Sequence, residues 1–143
     1  MPPVQVASDR FGVLEIDDDR ILQFDDGLLG FPDAHRFALI DSHDTGVYYW
    51  LQSLEDPALA FLTVVPWPFF PDYEPDLSGT EQDELSLRTP ADAMVLCLLT
   101  VQREAATITA NLLGPLVVNS HTRKGRQVVL AESGYPVRAP LAA

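Results

Sequence analysis

Short apolar runs separated by proline, glycine and aspartate are the feature that most constrains how this chain can fold. The runs are rich in Val, Ile, Leu, Phe and Tyr, which favours β-strands. The 12 prolines interrupt the 3.6-residue period that a long amphipathic helix would need. Strands are therefore predicted near residues 11–16, 20–25, 36–41, 47–53, 59–65, 93–103, 105–112, 115–119 and 126–132.

One domain is expected to account for the whole sequence. A chain of 143 residues with 47% hydrophobic residues is long and apolar enough to bury one core. Many short strands with frequent turns predict an all-β fold over residues 1–143, a small antiparallel β-barrel-like domain. The closing residues VRAPLAA have the composition of a frayed end, so a loose tail is expected from about residue 139 to 143.

Turn-forming residues predict three connections. Asp17–Asp19 lie between two strand-like runs and predict a β-hairpin. The chain should turn again near residue 104, between LCLLTVQ and ATITANL. The segment FDDGLLGF, residues 24–31, holds Gly27 and Gly30, which we expect to adopt positive φ angles in a folded loop.

Residues 66–90 form a proline-rich acidic excursion between two predicted strands. The excursion holds five of the 12 prolines and six carboxylates, which excludes a central strand. It is either packed over one end of the sheet or a mobile loop. Its aromatic residues favour packing; they are Trp67, Phe69, Phe70 and Tyr73.

The charge distribution disfavours nucleic acid and favours a basic partner. The formal net charge of −12 would repel a phosphate backbone. Between Arg36 and Arg88 the chain has no lysine or arginine but ten carboxylates. An acidic surface interleaved with aromatic residues suits the docking of a basic protein. The alternative is an acidic face that only keeps the protein soluble.

Residues that could carry catalysis or bind a metal do not form a recognisable pattern. Cys97 lies in an apolar run and is expected to be buried and inert. The histidines at 35, 43 and 121 lack the spacing of a zinc site, and no nucleophile or phosphate-binding motif is present. We therefore expect no enzyme activity, metal or cofactor.

The sequence also suggests where the protein resides. The start MPPVQVASDRFG has no basic cluster or long apolar core, and no apolar run approaches the roughly 20 residues of a transmembrane helix. A single cysteine suits a reducing compartment. We expect a cytoplasmic protein that does not associate with membranes.

Seven motifs in order, spanning about residues 11–138, resemble the FliW family of flagellar assembly factors. Leu29 and Gly114 depart from the family pattern, which usually has proline and alanine there. The motifs are RFG at 10–12, FDDGLLGF at 24–31, WLQS at 50–53, DP at 56–57 with AF at 60–61, PDYE at 71–74, ATITANLLGPLVVN at 106–119, and GRQVVL at 125–130 followed by Tyr135.

The resemblance implies a minimal β-barrel that binds two proteins in turn. One is flagellin, held in the cytoplasm before export. The other is the carbon storage regulator CsrA, an RNA-binding repressor of flagellin synthesis. Export of flagellin would free the factor, which would then bind CsrA away from its RNA surface and relieve repression. The factor itself is expected to be monomeric when free and to bind no nucleic acid.

Partner contacts are predicted at two places, the acidic excursion and the edge between Asn111 and Asn119. Proline lacks an N–H, so Gly114–Pro115 should form a bulge or an edge. A purely structural role is the alternative for the two asparagines, and Gln52 should satisfy backbone groups. The predicted contact residues are Phe70, Asp72, Tyr73 and Glu74 on the excursion and Asn111, Leu112, Pro115 and Asn119 on the edge.

Two other classes of protein remain open on the sequence alone. One is an unrelated barrel that holds a small apolar molecule inside. The other is a hydrolase that uses a pair of carboxylates, although adjacent carboxylates on loops are usually solvated charges.

Overall fold

A computed structural model describes residues 3–141 of the chain. These residues form eleven β-strands and one α-helix. The strands are β1 (Val4–Ser8), β2 (Gly12–Ile16), β3 (Ile21–Phe24), β4 (Arg36–Asp41), β5 (Tyr48–Ser53), β6 (Ala60–Val64), β7 (Ala93–Gln102), β8 (Thr107–Ala110), β9 (Leu116–Asn119), β10 (Lys124–Gln127) and β11 (Ala139–Pro140), and the helix is α1 (Gly79–Glu84).

Seven of the strands close into a barrel. Strands β3 to β7 pair consecutively and antiparallel, β10 pairs with β3 and β9, and β9 pairs back with β7. The β3–β10 pairing is parallel, and the other ladders are antiparallel. The predicted all-β barrel-like fold is confirmed, with one parallel seam.

Alternation along β7 builds a core on each side of the barrel wall. Leu96 faces the interior, where large side chains are almost completely buried. Val95 and Cys97 face outward and pack beneath the excursion. The largest interior side chains are Leu22, Phe24, Phe37, Leu51, Leu96 and Leu116. The barrel therefore encloses a packed core rather than a lumen.

The predicted irregularity at Gly114–Pro115 is confirmed as a wide bulge along β7. The β7–β9 ladder ends at the pair Leu96↔Leu116, and the β7–β8 ladder begins at Leu99↔Ala110. Two β7 residues therefore lie opposite residues 111–115. The turn predicted near residue 104 is also confirmed, because β7 and β8 form a hairpin.

The hairpin predicted at Asp17–Asp19 is wrong, because β2 and β3 do not pair. Strand β2 pairs with β1, which the sequence prediction missed, and Asp18–Arg20 form one turn of 3-10 helix. The physical reason is burial. Leu22 and Phe24 of β3 are needed inside the barrel, whereas no residue of β2 is fully buried. The β1–β2 pair is thus an outlying two-stranded ribbon.

Gln52 joins the β1–β2 ribbon to the barrel. Its side chain is fully buried, and its Oε1 accepts a hydrogen bond of 2.7 Å from Ser8 Oγ. Its Nε2 donates to the carbonyls of Pro57 and Leu59 at 3.2 and 3.1 Å. The expected role of Gln52 in satisfying backbone groups is confirmed.

Two predictions for the C-terminal part need correction. Ala139–Pro140 form β11, which pairs with β8, and Ala139 is only 4% exposed, so residues 139–141 are not a loose tail. The rest of that predicted tail lies outside the described residues. The strand predicted at 126–132 is β10 at Lys124–Gln127. Beyond it, Val128 N–H and Leu130 N–H bond to the 111–115 bulge instead of a regular ladder.

The helix α1 interrupts the excursion. Ser78 Oγ accepts from the Glu81 N–H at 3.1 Å, and Glu81 Oε1 accepts from the Ser78 N–H at 3.0 Å, which is a capping box. Within residues 3–141, no helix is long and apolar enough to cross a membrane.

Candidate partner-binding surface

Tyr73 anchors the excursion to the barrel. The residue is only 3% exposed, and its hydroxyl donates a 2.7 Å hydrogen bond to the Leu112 carbonyl in the bulge. Trp67 Nε1 donates to the Tyr73 carbonyl at 2.9 Å, and the Tyr135 ring lies edge-on, 4.7 Å away. The excursion is therefore packed, as its aromatic residues predicted.

The pKa values around Tyr73 fit a structural role. Burial, together with the nearby Cys97 and Tyr135, raises the pKa of the Tyr73 hydroxyl far above its usual value. Burial also raises the pKa of the Cys97 thiol to about 12, so the thiol stays protonated at neutral pH. Cys97 is buried, as the sequence predicted, and a thiol with so high a pKa is a poor nucleophile at neutral pH.

The side chain of Asn119, on β9, connects the C-terminal end of α1 to the barrel through hydrogen bonds. The residue is 3% exposed, and its Nδ2 donates to the Leu85 carbonyl at 2.8 Å. Its Oδ1 accepts from the backbone N–H groups of His121 and Thr122 at 2.8 and 3.1 Å. All polar groups of this side chain are thus used within the chain.

The structure brings the two predicted contact regions together but buries half of their residues. Asp72 and Glu74 are exposed, and Phe70 and Asn111 are partly buried. The buried ones are Tyr73, Leu112, Pro115 and Asn119. Burial leaves little of these four side chains exposed on the surface.

A groove of about 400 Å³ lies between the excursion and the outer face of the barrel. Ala93, Val95 and Val117, from β7 and β9, line its floor. The walls come from Trp67, Tyr73, Glu74, Pro75, Asp76, Leu77, Gln82, Leu87, Arg88, Thr89 and Pro90.

The sequence prediction missed Leu77 and Leu87, which flank α1 and pack on the outer core. The signal that could have found them is the capping-box sequence from Ser78 to Glu81 between two leucines.

The groove lies within the acidic part of the molecule. Residues 66–90 carry six carboxylates and one basic residue, Arg88. Glu74 and Asp76 line the groove, and so does Arg88. Glu84 of α1 forms an ion pair with Arg126 of β10. The remaining carboxylates give this face a negative potential that would attract a basic partner.

Two carboxylates, Asp92 and Glu55, each accept hydrogen bonds from backbone N–H groups. Asp92 accepts from the N–H groups of Thr89 and Arg88, both at 3.1 Å, and these bonds together with His121 lower its pKa. Glu55 is partly buried, which opposes ionisation, but the N–H groups of Arg36 and His35 and the Arg36 guanidinium lower its pKa overall. Asp92 thereby holds one end of the groove in place.

Gly27 and Gly30 have the positive φ angles expected for the loop, 68° and 83°. Their surroundings differ. A Cβ on Gly27 would lie 2.5 Å from the Phe31 carbonyl oxygen, whereas a Cβ on Gly30 would meet open space. The loop is attached to the barrel by the Leu29 N–H, which donates to Gln127 Oε1 at 2.9 Å.

The structure bears on the alternative of a barrel that holds a small apolar molecule inside. Large side chains fill the barrel interior, which leaves no room there for a small apolar ligand. Over residues 3–141, no three His, Cys, Asp or Glu side chains are grouped so that they could hold a metal ion.

These features define a small filled β-barrel with an acidic, partly apolar groove on its outer face. Sequence comparison places it among known proteins. The profile of the family described as FliW protein matches residues 5–141. The chain is 36% identical over 132 residues to the flagellar assembly factor FliW of Treponema denticola, covering 92% of this chain and 89% of that protein.

A second relative and a solved structure agree. The chain is 37% identical over 139 residues to the flagellar assembly factor FliW of Moorella thermoacetica, covering 96% of this chain and 88% of the relative. A crystal structure of the flagellar assembly factor FliW superposes with a TM-score of 0.86 at 34% identity and covers 98% of both chains. The chain belongs to the FliW family of flagellar assembly factors.

Proposed function

We propose that this protein binds flagellin in the cytoplasm and, when free of flagellin, binds the regulator CsrA and relieves repression of flagellin synthesis. The observation that carries the proposal is the family match over residues 5–141, nearly the whole chain. The filled barrel agrees with a role in protein binding, because it offers no interior site for a small substrate.

Charge is the physical argument for the second partner. A protein that holds RNA needs a basic surface, and a chain of net charge −12 would be attracted to it at long range. If flagellin and CsrA bind exclusively, the free concentration of each sets the occupancy of the other by mass action. No catalytic step is needed for such a switch.

The exposed residues of the excursion are the proposed contact surface. Asp72 and Glu74 present carboxylates to solvent beside the partly buried ring of Phe70. An aromatic anchor with a polar rim is the usual composition of a binding hot spot. The partly buried Asn111 at the adjoining bulge is the second place where a partner could reach the chain.

Isothermal titration calorimetry against purified flagellin monomer tests the proposal. We expect one-to-one binding with a dissociation constant in the micromolar range or tighter, about −8 kcal/mol or more favourable. The absence of both heat and co-elution at micromolar concentrations would remove flagellin as a partner. The same titration against CsrA, alone and with flagellin already bound, tests whether the two compete.

A further inference from the structure

We propose that the groove between the excursion and the β7–β9 face binds a short segment of a partner protein, in which one or two large apolar side chains are flanked by lysine or arginine. The inference rests on the proposed function only in that such a segment would belong to a protein partner. The residues that line the groove indicate where the segment binds and which side chains it must carry.

The groove floor is apolar and is built by the barrel. Val95 and Val117 belong to the outer core and are almost completely buried, so the partly buried Ala93 is the floor residue that an occupant can reach. Leu77 and Leu87 add apolar surface on either side of α1. A volume of about 400 Å³ is within the roughly 300–1,000 Å³ of ligand clefts, so one or two side chains could insert.

The charges around the groove select the occupant. Glu74 and Asp76 line it, and Gln82, which also lines it, lies between Glu81 and Asp83 on α1. Arg88 is the single basic residue of the lining. An acidic peptide or a phosphate-bearing ligand would be repelled, whereas lysine or arginine next to the apolar anchor would be attracted.

Hydrogen bonds hold the walls of the groove in place. Tyr73 OH bonds to the Leu112 carbonyl, Asn119 Nδ2 to the Leu85 carbonyl, and the Asp92 carboxylate to the Thr89 N–H. The first two bonds hold the excursion against the barrel at Tyr73 and at Leu85, and the third fixes the turn at its C-terminal end. A partner would therefore bind with little cost of ordering this surface.

Trp67 provides a direct readout of occupancy, because it lines the groove and is 40% exposed. The other tryptophan, Trp50, packs against Phe11 and Arg10 elsewhere, so Trp50→Phe makes Trp67 the sole reporter.

The probe is the blocked peptide Lys-Lys-Leu-Leu-Lys-Lys, titrated to about 5 mM to detect weak binding. The control peptides replace both leucines by serine, or all lysines by glutamate.

We expect saturable change of Trp67 emission with the leucine–lysine peptide and none with either control peptide. Ala93→Phe should abolish the change by filling the floor. Glu74→Lys with Asp76→Lys should weaken binding at least tenfold. Asp26→Lys with Asp33→Lys, exposed carboxylates outside the groove that give the same change in net charge, should weaken it less than threefold.

The outcomes separate this inference from the proposed function. No emission change with the leucine–lysine peptide, or equal responses to all three peptides, overturns the groove proposal. Peptide binding that is the same for wild type and Ala93→Phe also overturns it, while calorimetry against flagellin tests the proposed function separately. Peptide binding without binding of flagellin or CsrA would support the groove and overturn the proposed function.

Discussion

The hydroxyl of Tyr73 connects the acidic excursion to the bulge that interrupts the edge of β7. The ring alone would be held there by packing, but the 2.7 Å bond to Leu112 also satisfies a carbonyl that the irregular backbone leaves without a ladder partner. An unpaired buried acceptor costs about 1–3 kcal/mol. The aromatic residue of PDYE is therefore explained by the fold, and the adjoining carboxylates, Asp72 and Glu74, are exposed.

Tyr73→Phe should lower the free energy of unfolding by about 1–2 kcal/mol, because the Leu112 carbonyl loses its donor. Urea denaturation measures the change. Tyr49→Phe is the control: Tyr49 is also partly buried, and in the described part of the chain its hydroxyl makes no hydrogen bond. Flagellin affinity should stay within twofold of wild type. A large loss of flagellin affinity without a loss of unfolding free energy would show that Tyr73 contacts the partner directly.

Glu55 makes a pH-dependent contribution to stability. Its pKa in the folded protein lies below the ordinary value of 4.5, so the unfolded chain binds its proton more readily. The resulting stabilisation is present above about pH 4.5 and is lost as the pH falls through the lowered folded pKa. Glu55→Gln should therefore be less stable than wild type at pH 7, and the difference should shrink towards pH 3.

Denaturation curves at several pH values test this prediction, with Glu15→Gln as the control. Glu15 is an exposed carboxylate on β2, and its neutralisation should change stability little at any pH. The outcome against the prediction is a difference in unfolding free energy between wild type and Glu55→Gln that stays constant from pH 7 to pH 3. Hydrogen-bond geometry, and not the charge of Glu55, would then account for its contribution to stability.

At the scale of elements, the glycine loop shows how position decides the cost of the same substitution. Both glycines have positive φ, which costs a non-glycine residue about 1–3 kcal/mol. Only Gly27 also faces backbone atoms, 2.5 Å from the Phe31 oxygen and 2.6 Å from the Pro32 oxygen.

Gly27→Ala should therefore destabilise the protein more than Gly30→Ala does. For Gly30→Ala we expect roughly 1 kcal/mol, from φ alone. For Gly27→Ala the loss should be at least twice as large, since the loop must move to admit the methyl group. Melting temperatures of the two variants, compared under identical conditions, give the order. Equal melting temperatures would show that the loop adapts freely.

Elements with strong local patterns were predictable, and those set by distant partners were not. The β7–β8 hairpin and the Gly114–Pro115 bulge follow from alternation and from the missing proline N–H. The pairing of β2 depends on β1, a five-residue strand near the N-terminus, and not on the aspartates beside it. Likewise, the burial of Tyr73 and Asn119 depends on the carbonyls of Leu112 and Leu85, far away in sequence.

For the whole molecule, the uneven charge should govern how fast a basic partner arrives. Residues 37–87 carry ten carboxylates and no lysine or arginine, and Asp72 and Glu74 are exposed within that interval. Long-range attraction raises the association rate much more than it slows dissociation, and salt screens it. If this surface docks CsrA, a change in its charge should therefore alter the association rate more than the dissociation rate.

Asp72→Lys with Glu74→Lys should slow association with CsrA about tenfold at low ionic strength, and the difference should narrow at about 150 mM salt. Stopped-flow measurements at about 20 and 150 mM salt provide the rates. Asp26→Lys with Asp33→Lys brings the net charge from −12 to −8, as the test pair does, but changes exposed residues of the glycine loop and the turn after it. If the control pair slows association equally, net charge rather than the excursion steers the encounter. If neither pair slows it, the contact lies away from these carboxylates, and the bulge around Asn111 becomes the surface to mutate next, since it is the other predicted contact region that the chain leaves partly exposed.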